Sequence, residues 1–155
     1  MSVTSENSEF AQAVNGVVEA AVPVVHNMGV RATSARRGYA SSMVPVEGNG
    51  NHFGVMYAGV LFTVAEMLGG AIAVASFDGT RYYPLVKDLR ITFKRPATSD
   101  VCAEATLDED TIIRVTREAD EAGKSDFTLE STVTDADGVV VAVTTGLYQL
   151  RAHGR

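Results

Sequence analysis

The chain has 155 residues, 46% hydrophobic and 21% charged, with a net charge of −6. That is enough apolar side chain for a sizeable core in a single domain over 1–155, and it excludes wholesale disorder. The acidic balance and the lack of a basic stripe argue against a nucleic-acid partner.

The opening MSVTSENSEFAQ lacks the basic and apolar regions of a secretory signal. With a single cysteine, Cys102, and so no internal disulfide, a reducing cytoplasmic setting is expected. Residues 1–8 are polar and expected to fray. From Phe10 to Val22 the apolar set Phe10, Val14, Val17, Val18 and Ala21 recurs at helical spacing, with Ser8 as the N-cap. Pro23 interrupts this helix, and PVVHNMG reads as a further short helix stopped by Gly29. Residues 1–30 thus form an N-terminal helical segment ahead of a core over 31–150. Weakly patterned residues 31–47 predict one strand, about Arg36 to Val46, and GNGN at 48–51 predicts a loop.

From Asn51 to Phe77 the chain reads NHFGVMYAGVLFTVAEMLGGAIAVASF, apolar after Gly54 except for Glu66. At helical rise, Val55 to Ser76 spans roughly 33 Å, enough to cross a bilayer. Both flanks lack Lys and Arg, and an isolated carboxylate in hydrocarbon is costly. The expectation is therefore a buried central helix without membrane insertion.

Residues 82–94 predict an unbroken alternating strand with Leu85, Lys87, Leu89, Ile91 and Phe93 on one face. A second strand follows at 99–107. Residues 108–122 fit either a helix or a strand, and the acidic start and Gly123 favour a short helix. Residues 125–135 and 139–150 predict a hairpin turning at Asp135-Ala136-Asp137-Gly138. The whole is an α+β domain, its antiparallel sheet of five or six strands curled around one helix.

This order, with Asn51, Gly54 and Tyr57-Ala58-Gly59 ahead of Glu66, resembles the hot-dog-fold acyl-CoA thioesterases. The likeness is to their phenylacetate-pathway (PaaI-like) branch and a related uncharacterised domain family. Asn51 matches the family's Asn, Gly54 its spaced Gly and Glu66 its helix acid, while Tyr57-Ala58-Gly59 stands where His-Gly-Gly is usual. The strand LVKDLRITFKRPA and the DADG hairpin are also similar to the family's. A Ser that assists the acid in some members falls near Val86, which has no hydroxyl. The resemblance implies a homodimer or dimer of dimers with active sites at the interface, and an acyl-CoA substrate with no separate cofactor.

Thioester hydrolysis needs an activated water and a site for charge developing on the carbonyl oxygen. Glu66, in apolar surroundings that raise a carboxyl pKa, suits a general base or a nucleophile. The unpaired N–H groups of Ala58 or Gly59 at the helix start suit an oxyanion site, with Asn51 orienting carbonyl or water through its amide. Tyr57 and His52 are candidate substrate contacts. Arg90, Lys94 and Arg95 can meet coenzyme A phosphates. His26 and His153 have no metal-ligand spacing, and Cys102 is expected to pack. Eight residues from Ala58 to Glu66 are roughly 12 Å of helix, so one chain cannot bring both to a single carbonyl. Two chains with antiparallel helices can. The competing reading is a non-catalytic binder of an acyl or aromatic ligand. A dehydratase usually has a histidine near its site, and only His52 is available.

Overall fold

The computed structural model describes residues 3–155, with side chains from residue 9 onward. Its elements run α1 (Val3–Ala21), α2 (Pro23–Met28), β1 (Arg31–Arg36), β2 (Tyr39–Val44), α3 (Ala58–Ser76), β3 (Tyr82–Phe93), β4 (Val101–Thr106), α4 (Glu109–Ala122), β5 (Lys124–Thr134) and β6 (Val140–Ala152). The six strands form one sheet in the order β1-β2-β4-β5-β6-β3, every neighbour antiparallel. Alternate residues of β4 and β5 are buried and exposed. The helices therefore cover one face of the sheet and leave the other to solvent.

On the covered face lies α3, with Val60, Leu61, Val64, Leu68, Ala71 and Ile72 in the core. Buried Ser42 of β2 donates to the Val64 carbonyl at 2.7 Å, fixing helix to sheet. By length and composition α3 is apolar enough to cross a membrane, yet 56% of its apolar window is buried inside the fold. It is not enclosed on every side, as its composition led us to expect. Gly59, Phe62, Thr63, Glu66, Gly70 and Val74 form a stripe at helical spacing that is open or half-open to solvent. Beside it runs β3, a sheet edge with exposed Leu85, Val86 and Phe93.

Three expectations are corrected in the strands and N-terminal helix. Residues 31–44 make a hairpin rather than one strand, turning at Arg37-Gly38 between Arg36 and Tyr39. Gly38 has φ +75°, and a Cβ there would sit 2.6 Å from the Leu107 carbonyl oxygen, so only glycine fits. In β3 the alternation breaks at a bulge: Val86 pairs with Tyr148 and Asp88 with Leu147, leaving Lys87 unpaired in the register. The extra residue moves Val86, not Leu85, onto the face that carries Ile91 and Phe93. Lys87 instead pairs with Asp126 at 3.0 Å. Helix α1 already begins at Val3, so Ser8 lies within it, although Ser8's side chain and residues 1–2 fall outside the described residues.

The other elements match their reading. Asp108 caps α4, accepting from the Thr111 N–H at 2.7 Å, and Gly123 ends it. The β5–β6 hairpin closes through the Asp135 side chain, which accepts from the N–H groups of Asp137 and Val139. Pro23 starts α2, and Gly29 caps it. Asn15 of α1 bonds both backbone groups of Ala32, pinning the helix to the outer edge of β1.

Candidate active site

Glu66 sits midway along the open stripe of α3. It borders an apolar pocket of about 300 Å³. Val14 and Val18 of α1 and Val22 at its end form one wall, Met67 and Val74 of α3 the other, and Pro84 of β3 also lines it. Among the described residues no side chain hydrogen-bonds or pairs with the Glu66 carboxyl. Burial holds its pKa above the usual carboxylate range, because this setting disfavours the anion.

What fixes Glu66 in place was not foreseen from sequence. Buried Tyr148 donates through its hydroxyl to the Glu66 backbone carbonyl at 3.1 Å. Its ring stacks on Phe127 and fills the space left by Gly69 and Gly146, where added Cβ atoms would lie 2.0 and 2.5 Å from it. Burial first, and the nearby Glu66 charge second, push the Tyr148 hydroxyl pKa upward, so it stays a donor. Two glycines facing one tyrosine across helix and strand were the available signal, visible only once the pairing is known.

The second half of the site lies at the start of α3. One cleft of about 330 Å³ brings together Asn51, Ala58, Phe93, Lys94 and Arg95. Asn51 is clamped: its Oδ1 accepts from the Phe53 and Val55 N–H groups at 2.9 and 3.3 Å, and its own N–H donates to the Val55 carbonyl. Among the described residues its Nδ2 has no acceptor, and neither has the N–H of Ala58 or Gly59. The first helical donors to find one are Val60 and Leu61, both on the Tyr57 carbonyl. An aimed amide, two free N–H groups and a helix dipole make an anion-binding corner.

The remaining candidates divide. Tyr57 is the N-cap residue of α3, more than half exposed, with its ring against Gly59. His52 is exposed, its ring tilted against that of Phe53 with centroids 3.9 Å apart. Lys94 and Arg95 are exposed at the cleft rim, their N–H groups both on the Val141 carbonyl. Arg90 does not join them: opposite exposed Thr145, it lies on the uncovered face of the sheet. Cys102, expected to pack, is exposed on that same face. Among the described residues no three His, Cys, Asp or Glu side chains gather as a metal site. Glu66 and the Asn51 corner open as separate pockets, eight residues apart along one helix.

A six-stranded antiparallel sheet packed on one long helix is the hot-dog fold of the thioesterases. Within it, the chain belongs to the DUF4442 family, a domain of unknown function whose model matches residues 11–148. A Pseudomonas aeruginosa protein of unknown function, described as a probable thioesterase, is 44% identical. The match covers 92% of this chain and 95% of that one, with a TM-score of 0.85. A Chlorobaculum tepidum protein of unknown function has the same fold at 14% identity and TM-score 0.83, covering 94% of this chain and 96% of that one. So has a Haemophilus influenzae thioesterase, at 16% identity and TM-score 0.73, with 94% of each chain covered. No curated protein matches the chain.

Proposed function

We propose that this protein hydrolyses acyl-CoA thioesters as a homodimer or dimer of dimers. Glu66 of one subunit would act on a carbonyl held by Asn51, Ala58 and Gly59 of another. The observation that carries this is Glu66 itself, a carboxyl without a partner among the described residues, half-buried against valines on the open face of α3. The similar Pseudomonas protein, described as a probable thioesterase, supports the reaction class.

In the proposed reaction, a water on the Glu66 carboxylate attacks the thioester carbon and gives its proton to the carboxylate. The carbonyl oxygen takes up negative charge at the Ala58 and Gly59 N–H groups and the Asn51 amide. The carbon–sulfur bond then breaks, and the thiolate leaves and is protonated from Glu66. In the alternative course, the Glu66 carboxylate attacks directly and the carbon–sulfur bond breaks to give an anhydride and a thiolate. Water then opens the anhydride, freeing Glu66 and the acid, and its proton neutralises the thiolate. Lys94 and Arg95, which line the same cleft, would meet the coenzyme A phosphates. The open stripe of α3 from Gly59 to Glu66 and the unpaired β3 edge support pairing of two copies with their helices antiparallel, leaving Gly70 and Val74 to the neighbouring groove. Tyr148 is a positioning residue.

Thiol release from acyl-CoAs, measured beside Glu66→Gln, tests the reading. Turnover in the wild type and its loss in a folded variant are expected. No turnover, with ligand affinity unchanged in Glu66→Gln, would instead mark a non-catalytic binder.

A further inference from the structure

We infer that the groove between α1 and α3 is an acyl-chain pocket for an uncharged aliphatic chain of about eight to twelve carbons, scaling from the roughly 150 Å³ that encloses benzene. The inference rests on the hydrolase reading and names its substrate class. Glu66 is the one ionisable residue that lines the groove among the described residues, so on this reading the thioester carbon lies beside it and the chain runs on toward Val74.

Size, length and lining agree. A volume of about 300 Å³ is twice that benzene site, hence room for about twelve carbons, and fewer where the groove is open. From Glu66 to Val74 the α3 wall runs eight residues, roughly 12 Å, an elongated slot rather than a ring-shaped hole. Five valines line the opposite side, and among the described lining residues Glu66 alone has an oxygen or nitrogen in its side chain. Among the described residues no aromatic ring lines it, and a phenyl group would fill about half the space. A carboxyl or hydroxyl at the far end of the chain would be buried unpaired, weakening binding about tenfold or more. Val17, Val22 and Val74 are exposed along the groove at 59%, 40% and 41%. An alkyl chain laid between them removes that apolar surface from water.

Gly70 supplies the test. It lies one turn beyond Glu66 on the pocket wall, and a Cβ there meets nothing within 4 Å. The probes are non-hydrolysable S-alkyl coenzyme A thioethers from ethyl to hexadecyl, with S-phenethyl coenzyme A, titrated calorimetrically against the full chain. Affinity should strengthen about threefold to fourfold per methylene up to about decyl and then level off. In Gly70→Leu the preference for decyl over ethyl should fall at least tenfold. Val17→Trp narrows the groove from the exposed side of α1 and should shorten the optimum even if Gly70→Leu proves unstable. A flat profile from ethyl to dodecyl, a preference for phenethyl, or variants that bind like wild type would overturn the pocket. Turnover of the matching acyl-CoAs separates the two proposals. Tight decyl binding without turnover keeps the pocket and sinks hydrolysis, and turnover with a flat length profile does the reverse.

Discussion

Glu66 costs less folding free energy as an acid than as an anion, because valines face it and no cation does among the described residues. Its raised pKa means the folded chain holds the proton more tightly than the unfolded chain. The stability that Glu66 itself contributes is therefore greatest below the usual carboxylate range and is lost as pH rises through its folded pKa. Glu66→Gln, neutral throughout, should melt higher than wild type at pH 7, with the gap closing in acid, as measured by calorimetry at several pH values. The same carboxyl must ionise to act as base, so the acid limb of kcat/KM should lie above the ordinary carboxylate range. Asn51 allows a sharper substitution. Asn51→Asp keeps the Oδ1 that clamps Phe53 and Val55 but removes the Nδ2 donor. If the amide serves the oxyanion, kcat should fall about 10²–10³-fold with the melting temperature little changed.

Two adjacent glycines of α3 make opposite predictions at the scale of elements. Gly69→Ala drives a methyl into the Tyr148 ring and should destabilise by about 1–3 kcal/mol. Gly70→Ala meets open space and should stabilise by up to about 1 kcal/mol through helix propensity. Denaturant unfolding of both variants checks the pair. The sequence does not distinguish Gly69 from Gly70, since only the packing of β6 against α3 puts a ring beside one of them. Where local chemistry is decisive it was legible: Pro23, Gly29, Asp108 and Gly123 end or start helices as read. The hot-dog architecture and the 58–76 helix were legible too. The 39–44 strand hid its partner because Ala, Ser and Thr alternate too weakly to mark an edge. Lys87 hid a bulge because an extra residue leaves a plausible but wrong alternation on one side of it. Cys102 was read by residue type, whereas strand parity decides its exposure. Of the candidate site, Glu66 stood out in the sequence as the lone acid of an apolar run, and Asn51 came from the family resemblance. Neither identified Tyr148, or Arg90's place on the far face.

At the scale of the molecule, the decisive quantity is the separation of Glu66 from Ala58 along one rigid helix. If the site is completed by a second copy, two dead variants should rescue each other. Glu66→Gln mixed with Asn51→Asp and reassembled in equal amounts should recover about a quarter of wild-type activity. Half the random pairs are then mixed, and each holds one intact site of two. No recovery, with mixed pairs confirmed by native mass spectrometry, would place both residues in a single-chain site or in none.

A helix of this length thus acts as a ruler that forbids self-sufficiency. On the proposed reading a solitary copy is inert, so dilution below the pairing constant should lower the specific rate. Turnover would then grow as the square of protein concentration, and abundance in the cell, as much as substrate supply, would govern how fast thioesters are cleared.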